Sequence, residues 1–140
     1  RVKLITELYK KHGYENILGG LDDDIQYIDD IKNNRASASK DGIYTADTIL
    51  IPLEDGDRAE IVKKGGKNII TIDLNPLSRT SKMSDVSIMD NIVRAIPFMT
   101  KIATDLKTQD KQMLIEMVND FDNEENLKES LQQIKLKEWK

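Results

Sequence analysis

Short apolar runs and polar loops alternate most regularly in the middle of the chain. Residues 49–53 and 69–72 are apolar and rich in β-branched side chains, a pattern typical of strands that are buried on both faces. The segment 58–64 between them ends in two lysines that are followed by two glycines, which is typical of a helix C-terminus. This order predicts a β-α-β unit with parallel strands and a right-handed crossover.

Each predicted strand runs into a polar loop, residues 54–58 after the first strand and residues 73–80 after the second. Ligands of open α/β sheets bind beyond the carboxyl ends of the strands, so we predict the functional site at these loops. The sequence contains neither a Walker-type phosphate loop nor the glycine fingerprint of dinucleotide-binding proteins. Any phosphate must therefore be held by other groups.

Side chains of the two loops offer such groups. Arg79, with the hydroxyls of Ser78 and Thr80, is a candidate phosphate site. The first loop also carries three carboxylates, Glu54, Asp55 and Asp57, of the type that binds magnesium together with a substrate phosphate. An alternative of equal weight is a solvated turn in which Asp57 caps the following helix.

The residues before the central unit predict further elements. They are a helix at 2–12 that ends at Gly13, a strand at 14–18, a helix through 25–31 with an acidic first turn, and an exposed loop at 35–40. His12 is the sole histidine and lies in the last turn of the first helix, where the helix dipole stabilises it. The aspartates before and within 25–31 lack the spacing of a calcium loop, so a helix is favoured over a metal site.

After the central unit, the pattern predicts a brief third strand at 86–88 and then a long helix. Asp90 caps this helix, and its apolar residues between Ile92 and Ile102 face the core. Pro97 is expected to kink or break the helix near Ile96. Two amphipathic helices follow, separated by residues 120–124, and they either cover the sheet or pair with a second subunit.

Composition narrows the possible classes of protein. The chain has 140 residues, a formal net charge of -4 and no cysteine, which suits one globular domain and excludes disulfides and thiolate chemistry. The basic residues are not clustered, so no nucleic-acid partner is expected. No apolar run approaches the ~20 residues of a membrane span, so we expect no membrane partner and a cytoplasmic location.

Three segments carry a resemblance to a known family. They run from Ala46 to Arg58, from Asp73 to Thr80 with the sequence Asp-Leu-Asn-Pro-Leu-Ser-Arg-Thr, and from Met89 to Pro97. Together they resemble the archaeal phosphopantothenate synthetases, also called 4-phosphopantoate–β-alanine ligases. The match is close over residues 42–99, and the octapeptide is its most specific part.

The resemblance implies an ATP-dependent condensation of 4-phosphopantoate with β-alanine to 4′-phosphopantothenate, with release of AMP and diphosphate, in coenzyme A biosynthesis. ATP is expected as a substrate with Mg²⁺. The contacts to ATP that it implies are Asp73, Leu74, Asn75, Arg79, Thr80, Asn91 and Ile92. Contacts to the other substrates are expected at Asp55, Asp57, Arg58 and Ser78. It assigns neither a general base nor a metal ligand.

Family members are longer, and this chain resembles their C-terminal part. We therefore expect one α/β domain, Rossmann-like and three-layered, with a mostly parallel sheet and extra C-terminal helices. Its expected parts are a helix with an acidic segment (1–41), the central unit with the nucleotide site (42–106) and a helical tail (107–140). A homodimer is expected, since part of a larger sheet exposes apolar surface. The alternatives are a non-catalytic nucleotide-binding or interaction fragment, and a different nucleotide-dependent enzyme on a similar scaffold.

Overall fold

The computed structural model describes residues 1–20, 24–28 and 34–136. The helices of these ranges are α1 (Val2–Lys11), α2 (Gly56–Lys64), α3 (Arg79–Met83), α4 (Ile92–Leu106), α5 (Lys111–Asn119) and α6 (Asn123–Leu136). The strands are β1 (Ile25–Tyr27), β2 (Ser37–Ser39), β3 (Thr48–Ile51), β4 (Asn68–Asp73) and β5 (Val86–Met89). An irregular helical turn, Lys40–Tyr44, follows β2. In these ranges, no helix is both long and apolar enough to cross a bilayer.

Strands β3, β4 and β5 form a parallel sheet with β4 at its centre. Ile49 of β3 pairs with Ile69 of β4, and both side chains are buried. Helix α2 connects these strands and places Ala59 and Val62 in the same core, where both are fully buried. The predicted α/β class, the β-α-β unit and its parallel strands are confirmed. The third strand predicted at 86–88 is also confirmed as β5.

The ends of the central elements differ from the prediction by a few residues. Strand β3 ends at Ile51, and α2 begins at Gly56. Asp55, rather than Asp57, is the N-cap of α2, because its carboxylate accepts the N–H of Arg58 at 3.2 Å. Asp57 lies within the first turn of α2, whereas an N-cap precedes the first helical residue.

The segment before the central unit was predicted incorrectly. Residues 25–27 form strand β1 rather than a helix, and residues 29–31 lie outside the described ranges. Residues 35–40 are not an exposed loop, because they contain β2 and the buried Ala36 and Ala38. Strands β1 and β2 form an antiparallel hairpin, and Ile28 packs with Ala38 in the core. Residues 14–18 form no strand, whereas Gly13 does end α1, with a positive φ of 86°.

Helix α4 also differs from the prediction. It runs through Pro97 without a break, since proline removes one N–H donor but has a φ compatible with a helix. Its apolar stripe does not face the core: Val93 is 77% exposed and Ile96 is 39% exposed, while Ala95 is buried. The N-cap is Asn91, whose Oδ1 accepts the N–H of Val93 at 2.9 Å, and not Asp90.

Helix α6 covers the outer edge of the sheet at β5. Asn123 Oδ1 accepts the N–H of Ser87 at 2.8 Å, and Asn126 Nδ2 donates to the Ser87 carbonyl at 2.8 Å. The two amides thereby satisfy the backbone groups that a neighbouring strand would otherwise bind. Asn123 Nδ2 also donates to the carbonyls of Ser81 at 3.2 Å and Ser84 at 2.9 Å. Of the two roles predicted for the C-terminal helices, α6 therefore has the first, covering the sheet.

Candidate functional site

A cleft of about 230 Å³ opens where the three strands of the parallel sheet end. The loops after β3, β4 and β5 form its walls together with the end of β4 and the start of α4; the lining residues are Pro52, Leu53, Glu54, Ile72, Asp73, Leu74, Asp90, Asn91 and Ile92. Apolar side chains supply more than half of this wall. Larger depressions, of about 570 and 800 Å³, lie at the opposite end of α2 and beside the connection between α5 and α6. The cleft is therefore the candidate ligand site, because ligands of parallel α/β sheets bind at the carboxyl ends of the strands.

The buried carboxylate of Asp73 shapes the loop after β4. Its Oδ1 accepts the N–H of Asn75 at 2.9 Å, and its Oδ2 accepts the hydroxyls of Ser78 at 2.5 Å and Ser81 at 3.2 Å. Ser78 is the N-cap of α3, because its Oγ accepts the Ser81 N–H at 3.0 Å. Both oxygens of Asp73 thus have donors within the chain. The residue fixes the loop that carries the predicted nucleotide contacts.

The loop after β5 presents one amide and one neutralised carboxylate to the cleft. Asn91 uses its Oδ1 to cap α4, and its Nδ2 donates to no residue in the described ranges. Asp90 accepts hydrogen bonds from Arg94 Nε at 2.9 Å and from the Asn91 N–H at 2.6 Å. Arg94, followed by the Asn91 N–H, holds the pKa of the Asp90 carboxyl below its ordinary value. The amide of Asn91 is therefore an available donor for a ligand.

Oppositely charged side chains gather between α2 and α3, on the other side of the Asp73 loop. We name this group the arginine cluster; it consists of Arg35, Asp55, Asp57, Glu60 and Arg79. Arg79 Nη2 donates to Asp57 Oδ1, and Arg79 Nη1 lies 3.8 Å from Glu60 Oε2. Arg35 bridges two carboxylates, with Nη1 2.9 Å from Asp55 Oδ1 and Nε 3.3 Å from Asp57 Oδ2. The cluster links the hairpin segment to the N-terminal turns of both helices.

The ion pairs of the arginine cluster shift the pKa of Asp57, Glu60 and Arg79 in the direction that favours the charged form. The hydrogen bond and charge of Arg79, with a further contribution from Arg35, hold the pKa of the Asp57 carboxyl below its ordinary value. Lys64 and, more weakly, Arg79 lower the pKa of Glu60. In turn, Asp57 raises the pKa of the Arg79 guanidinium. Arg79 is therefore a permanent cation at the start of α3.

Thr80 and Glu54 connect the arginine cluster to the cleft. Thr80 is fully buried, and its Oγ1 accepts the N–H of Asp55 at 3.0 Å. The same hydroxyl lies 3.4 Å from Glu54 Oε1, which also accepts the N–H of Gly56 at 3.2 Å. Glu54 itself lines the cleft. The two halves of the site are therefore held together by hydrogen bonds from the first turn of α3.

The structure distributes the predicted site residues over two neighbouring places. The cleft contains Asp73, Leu74, Asn91 and Ile92. The side of α2 and α3 carries Arg79, Thr80, Asp55, Asp57, Arg58 and Ser78. Asn75 lies in the loop between them, with its Oδ1 accepting the N–H of Leu77 at 3.0 Å. Arg58 donates from Nη1 to the Ser37 carbonyl at 3.5 Å, so it also supports the hairpin. The predicted residues thus share one sheet edge, but they do not all line one cleft.

Sequence reasoning missed several residues of this region. Arg35 was assigned to an exposed loop, yet it bridges Asp55 and Asp57. Arg94 was not singled out, although it neutralises Asp90 beside the cleft. Asp90 and Arg94 have the i,i+4 spacing of an ion pair on one face of a helix, and this spacing could have revealed their contact. No local signal reveals the contact of Arg35 with Asp55, because these residues are separated by 20 positions.

The fold and the site define an α/β protein with a candidate ligand cleft, walled by apolar and polar side chains, at the carboxyl edge of a parallel sheet. A family model described as phosphopantothenate/pantothenate synthetase matches residues 1–137, and the chain belongs to this family. The family predicted from the loop sequences is therefore confirmed.

Curated relatives from archaea carry the name 4-phosphopantoate–β-alanine ligase. The protein of Methanosarcina mazei is 44% identical over 134 residues, which cover 96% of this chain and 52% of the relative. Those of Thermococcus onnurineus and Thermococcus kodakarensis are 42% and 38% identical over 135 residues, covering 96% of this chain and 51% of each relative. The chain thus spans about half the length of these relatives.

Proposed function

We propose that this chain is part of a ligase that condenses 4-phosphopantoate with β-alanine to 4′-phosphopantothenate, a step of coenzyme A biosynthesis. The reaction consumes ATP and releases AMP and diphosphate. Membership of the phosphopantothenate/pantothenate synthetase family and the names of the relatives support this proposal. We extend the proposal to the complete protein, which we expect to be a Rossmann-like, three-layered homodimer.

The observation that carries the proposal is the meeting of three loops at one sheet edge. The loops after β3, β4 and β5 hold the segments that resemble the family, and they border one cleft. The parallel sheet requires this, because strands that run in one direction present all of their carboxyl ends together.

We place the nucleotide across the two halves of the site. The apolar walls at Leu74 and Ile92, with the available amide of Asn91, suit a flat base that also needs a hydrogen-bond donor. The phosphates lie toward the N-terminus of α3, where Arg79 provides a cation. Arginine suits this role because its planar fork matches the geometry of phosphate oxygens.

The proposed chemistry proceeds in two displacements. A carboxylate oxygen of 4-phosphopantoate forms a bond with the α-phosphorus of ATP, and the bond from that phosphorus to diphosphate breaks. The amine of β-alanine then bonds to the acyl carbon, AMP leaves with the electron pair of the broken C–O bond, and the nitrogen releases a proton. Negative charge grows on the phosphates in the first step, so the role of Arg79 is to stabilise that charge.

The side chains of the described residues do not by themselves form a site for the expected Mg²⁺. Among the described residues, no group of three or more acidic or histidine side chains is arranged to hold a metal ion. Two of the three candidates in the loop after β3, Asp55 and Asp57, are paired with Arg35 and Arg79. The third, Glu54, accepts the N–H of Gly56 through its Oε1 at 3.2 Å. Mg²⁺ that is bound chiefly by ATP and water is consistent with this arrangement.

The test is release of AMP by the full-length protein in the presence of ATP, 4-phosphopantoate and β-alanine. We expect AMP to form only when all three substrates are present, together with an equal amount of 4′-phosphopantothenate. Reactions that lack one substrate are the controls. Formation of ADP, or AMP release that does not depend on β-alanine, would contradict the proposal. ATP binding without any turnover would favour a nucleotide-binding role instead.

A further inference from the structure

The side chain of Arg79 is seated against the backbone of α2. A Cβ atom on Gly56 would lie 2.8 Å from Arg79 Cβ and 2.9 Å from Arg79 Nε. Such distances leave no room for a side chain, so glycine at position 56 permits this close approach. This contact restricts the aliphatic part of the Arg79 side chain, while its guanidinium remains exposed.

In this position, the guanidinium of Arg79 retains several N–H groups that donate to no residue in the described part of the chain. It has five N–H bonds in a planar fork. Nη2 donates to Asp57, and Nη1 lies 3.8 Å from Glu60. Nε has no partner in the described part of the chain. The remaining N–H groups can therefore bind an anion while Asp57 keeps its contact.

Arg35 holds the second carboxylate oxygen of Asp57, the one that does not contact Arg79. Its Oδ2 lies 3.3 Å from Arg35 Nε, and Arg35 Nη1 lies 2.9 Å from the capping carboxylate of Asp55. Asp57 also stands in the first turn of α2, where the helix dipole favours a negative charge. The carboxylate is thus held between two guanidinium groups.

We propose that Asp57 is a positioning residue that orients the Arg79 guanidinium toward the phosphates of ATP, with Arg35 holding the other oxygen of Asp57. The inference rests on the proposed function and adds two residues to it. Asp57 acts through Arg79 and does not touch the nucleotide. Arg35 offsets part of the negative charge of Asp57, which reduces the repulsion between this carboxylate and a bound phosphate.

The opposite role for Asp57 would be competition with phosphate for Arg79. The two roles predict opposite changes in the KM for ATP when Asp57 is replaced. Loss of an orienting carboxylate weakens ATP binding, because Arg79 then samples more conformations. Loss of a competing carboxylate strengthens ATP binding. Asp57→Asn separates them while preserving the size of the side chain.

The experiment measures KM for ATP and kcat in the full-length enzyme with the other substrates saturating. We expect Asp57→Asn to raise KM for ATP about three- to tenfold, a range common for residues in direct contact, with little change in kcat. In an Arg79→Ala background, the same substitution should have no further effect. A structural role of Asp57 would instead reduce activity in both backgrounds. Glu124→Gln, which removes one of the two exposed carboxylates beside Lys128, is the matched control and should leave KM unchanged.

Each outcome leads to a separate conclusion. An unchanged or lowered KM for ATP in a folded Asp57→Asn enzyme overturns the positioning role and leaves the ligase function standing. An unchanged KM in Arg79→Ala shows that the phosphate site is elsewhere, and this overturns the inference as well. Wild-type protein that forms no AMP overturns both the function and the inference. Circular dichroism and thermal unfolding of every variant identify loss of folding.

Discussion

The Oγ1 atom of Thr80 accepts the N–H of Asp55 across 3.0 Å, and the side chain of Thr80 is fully buried. This bond joins the residue that caps α2 to the first turn of α3. The two residues follow different strands of the sheet and are separated by 25 positions. The Thr80 hydroxyl therefore fixes the spacing between the cleft and the arginine cluster.

Thr80→Val should destabilise the fold, because it keeps the volume of the side chain and removes the acceptor for the Asp55 N–H. The expected loss in free energy of unfolding is about 1–3 kcal/mol, the cost of an unsatisfied polar group in a protected site. Urea unfolding measures it. Thr80→Ser keeps the hydroxyl and serves as the control, with a smaller loss from the missing methyl group. Equal losses in both variants would show that packing, and not the hydrogen bond, is the main contribution of Thr80.

Asn123→Ala should destabilise the sheet at β5. The substitution removes the acceptor for the Ser87 N–H and the donor for the carbonyls of Ser81 and Ser84. These contacts are partly buried, so we expect a loss of about 1–3 kcal/mol in the free energy of unfolding. Faster amide hydrogen exchange at Ser87 would locate the effect. Asn119→Ala, at the exposed end of α5, is the matched control and should change stability little.

Asp85 should make stability depend on pH in the acidic range. Burial raises the pKa of Asp85, but hydrogen bonds from Lys63 Nζ at 2.5 Å and from the Ile69 N–H at 2.8 Å outweigh it, and the pKa is lowered on folding. The folded state therefore binds the proton less tightly than the unfolded state does. The resulting stabilisation is present at neutral pH and is lost progressively as the pH falls below about 5.

Asp85→Asn removes this titration and keeps an acceptor for the Ile69 N–H. We expect it to lower the free energy of unfolding at neutral pH by no more than about 1 kcal/mol, because the ion pair with Lys63 is partly exposed and screened by solvent. The difference from wild type should shrink on acidification, as measured by urea unfolding across the range. Asp105→Asn on the exposed surface of α4 is the control. A difference that stays constant with pH would contradict the assignment.

Arg79→Ala should weaken the use of ATP strongly in the full-length enzyme. The variant loses a guanidinium that the proposal places on phosphate, and we expect KM for ATP to rise about ten- to a hundredfold. Asn91→Ala should have a milder effect, since it removes a neutral donor and the cap of α4. Arg58→Ala, which removes an arginine of α2, is the comparison for Arg79→Ala, which removes an arginine of α3. The measurement is AMP release against ATP concentration with 4-phosphopantoate and β-alanine saturating. Near wild-type ATP dependence in folded Arg79→Ala would contradict this assignment.

The central β-α-β unit could be predicted from the sequence because its signals are local. Apolar runs mark β3 and β4, and the lysines and glycines after Val62 mark the end of α2. Once the strands are parallel, their loops must share an edge, so the same pattern predicts the position of the candidate site. The octapeptide from Asp73 to Thr80 supplied the family, which the comparison confirmed.

Some internal bonds of the site could not be predicted, because they depend on residues distant in sequence. Asp57, which was expected to contact a substrate, accepts a hydrogen bond from Arg79, 22 residues away. Arg35 reaches Asp55 only because the hairpin folds beside α2. A hydrophobic pattern reports which face is buried, but it does not report the partner of a polar side chain.

The sequence by itself determined the class of fold, the order of the central elements and the edge at which a ligand can bind. These follow from the periodicity of side chains and from the direction of the strands. Only the tertiary structure decided that β1 and β2 pair, that α6 closes the sheet through Asn123 and Asn126, and that the site has an apolar and an ionic half. The bond between Asn123 and Ser87 spans 36 residues, and such pairings arise only when the whole chain satisfies its buried polar groups at once.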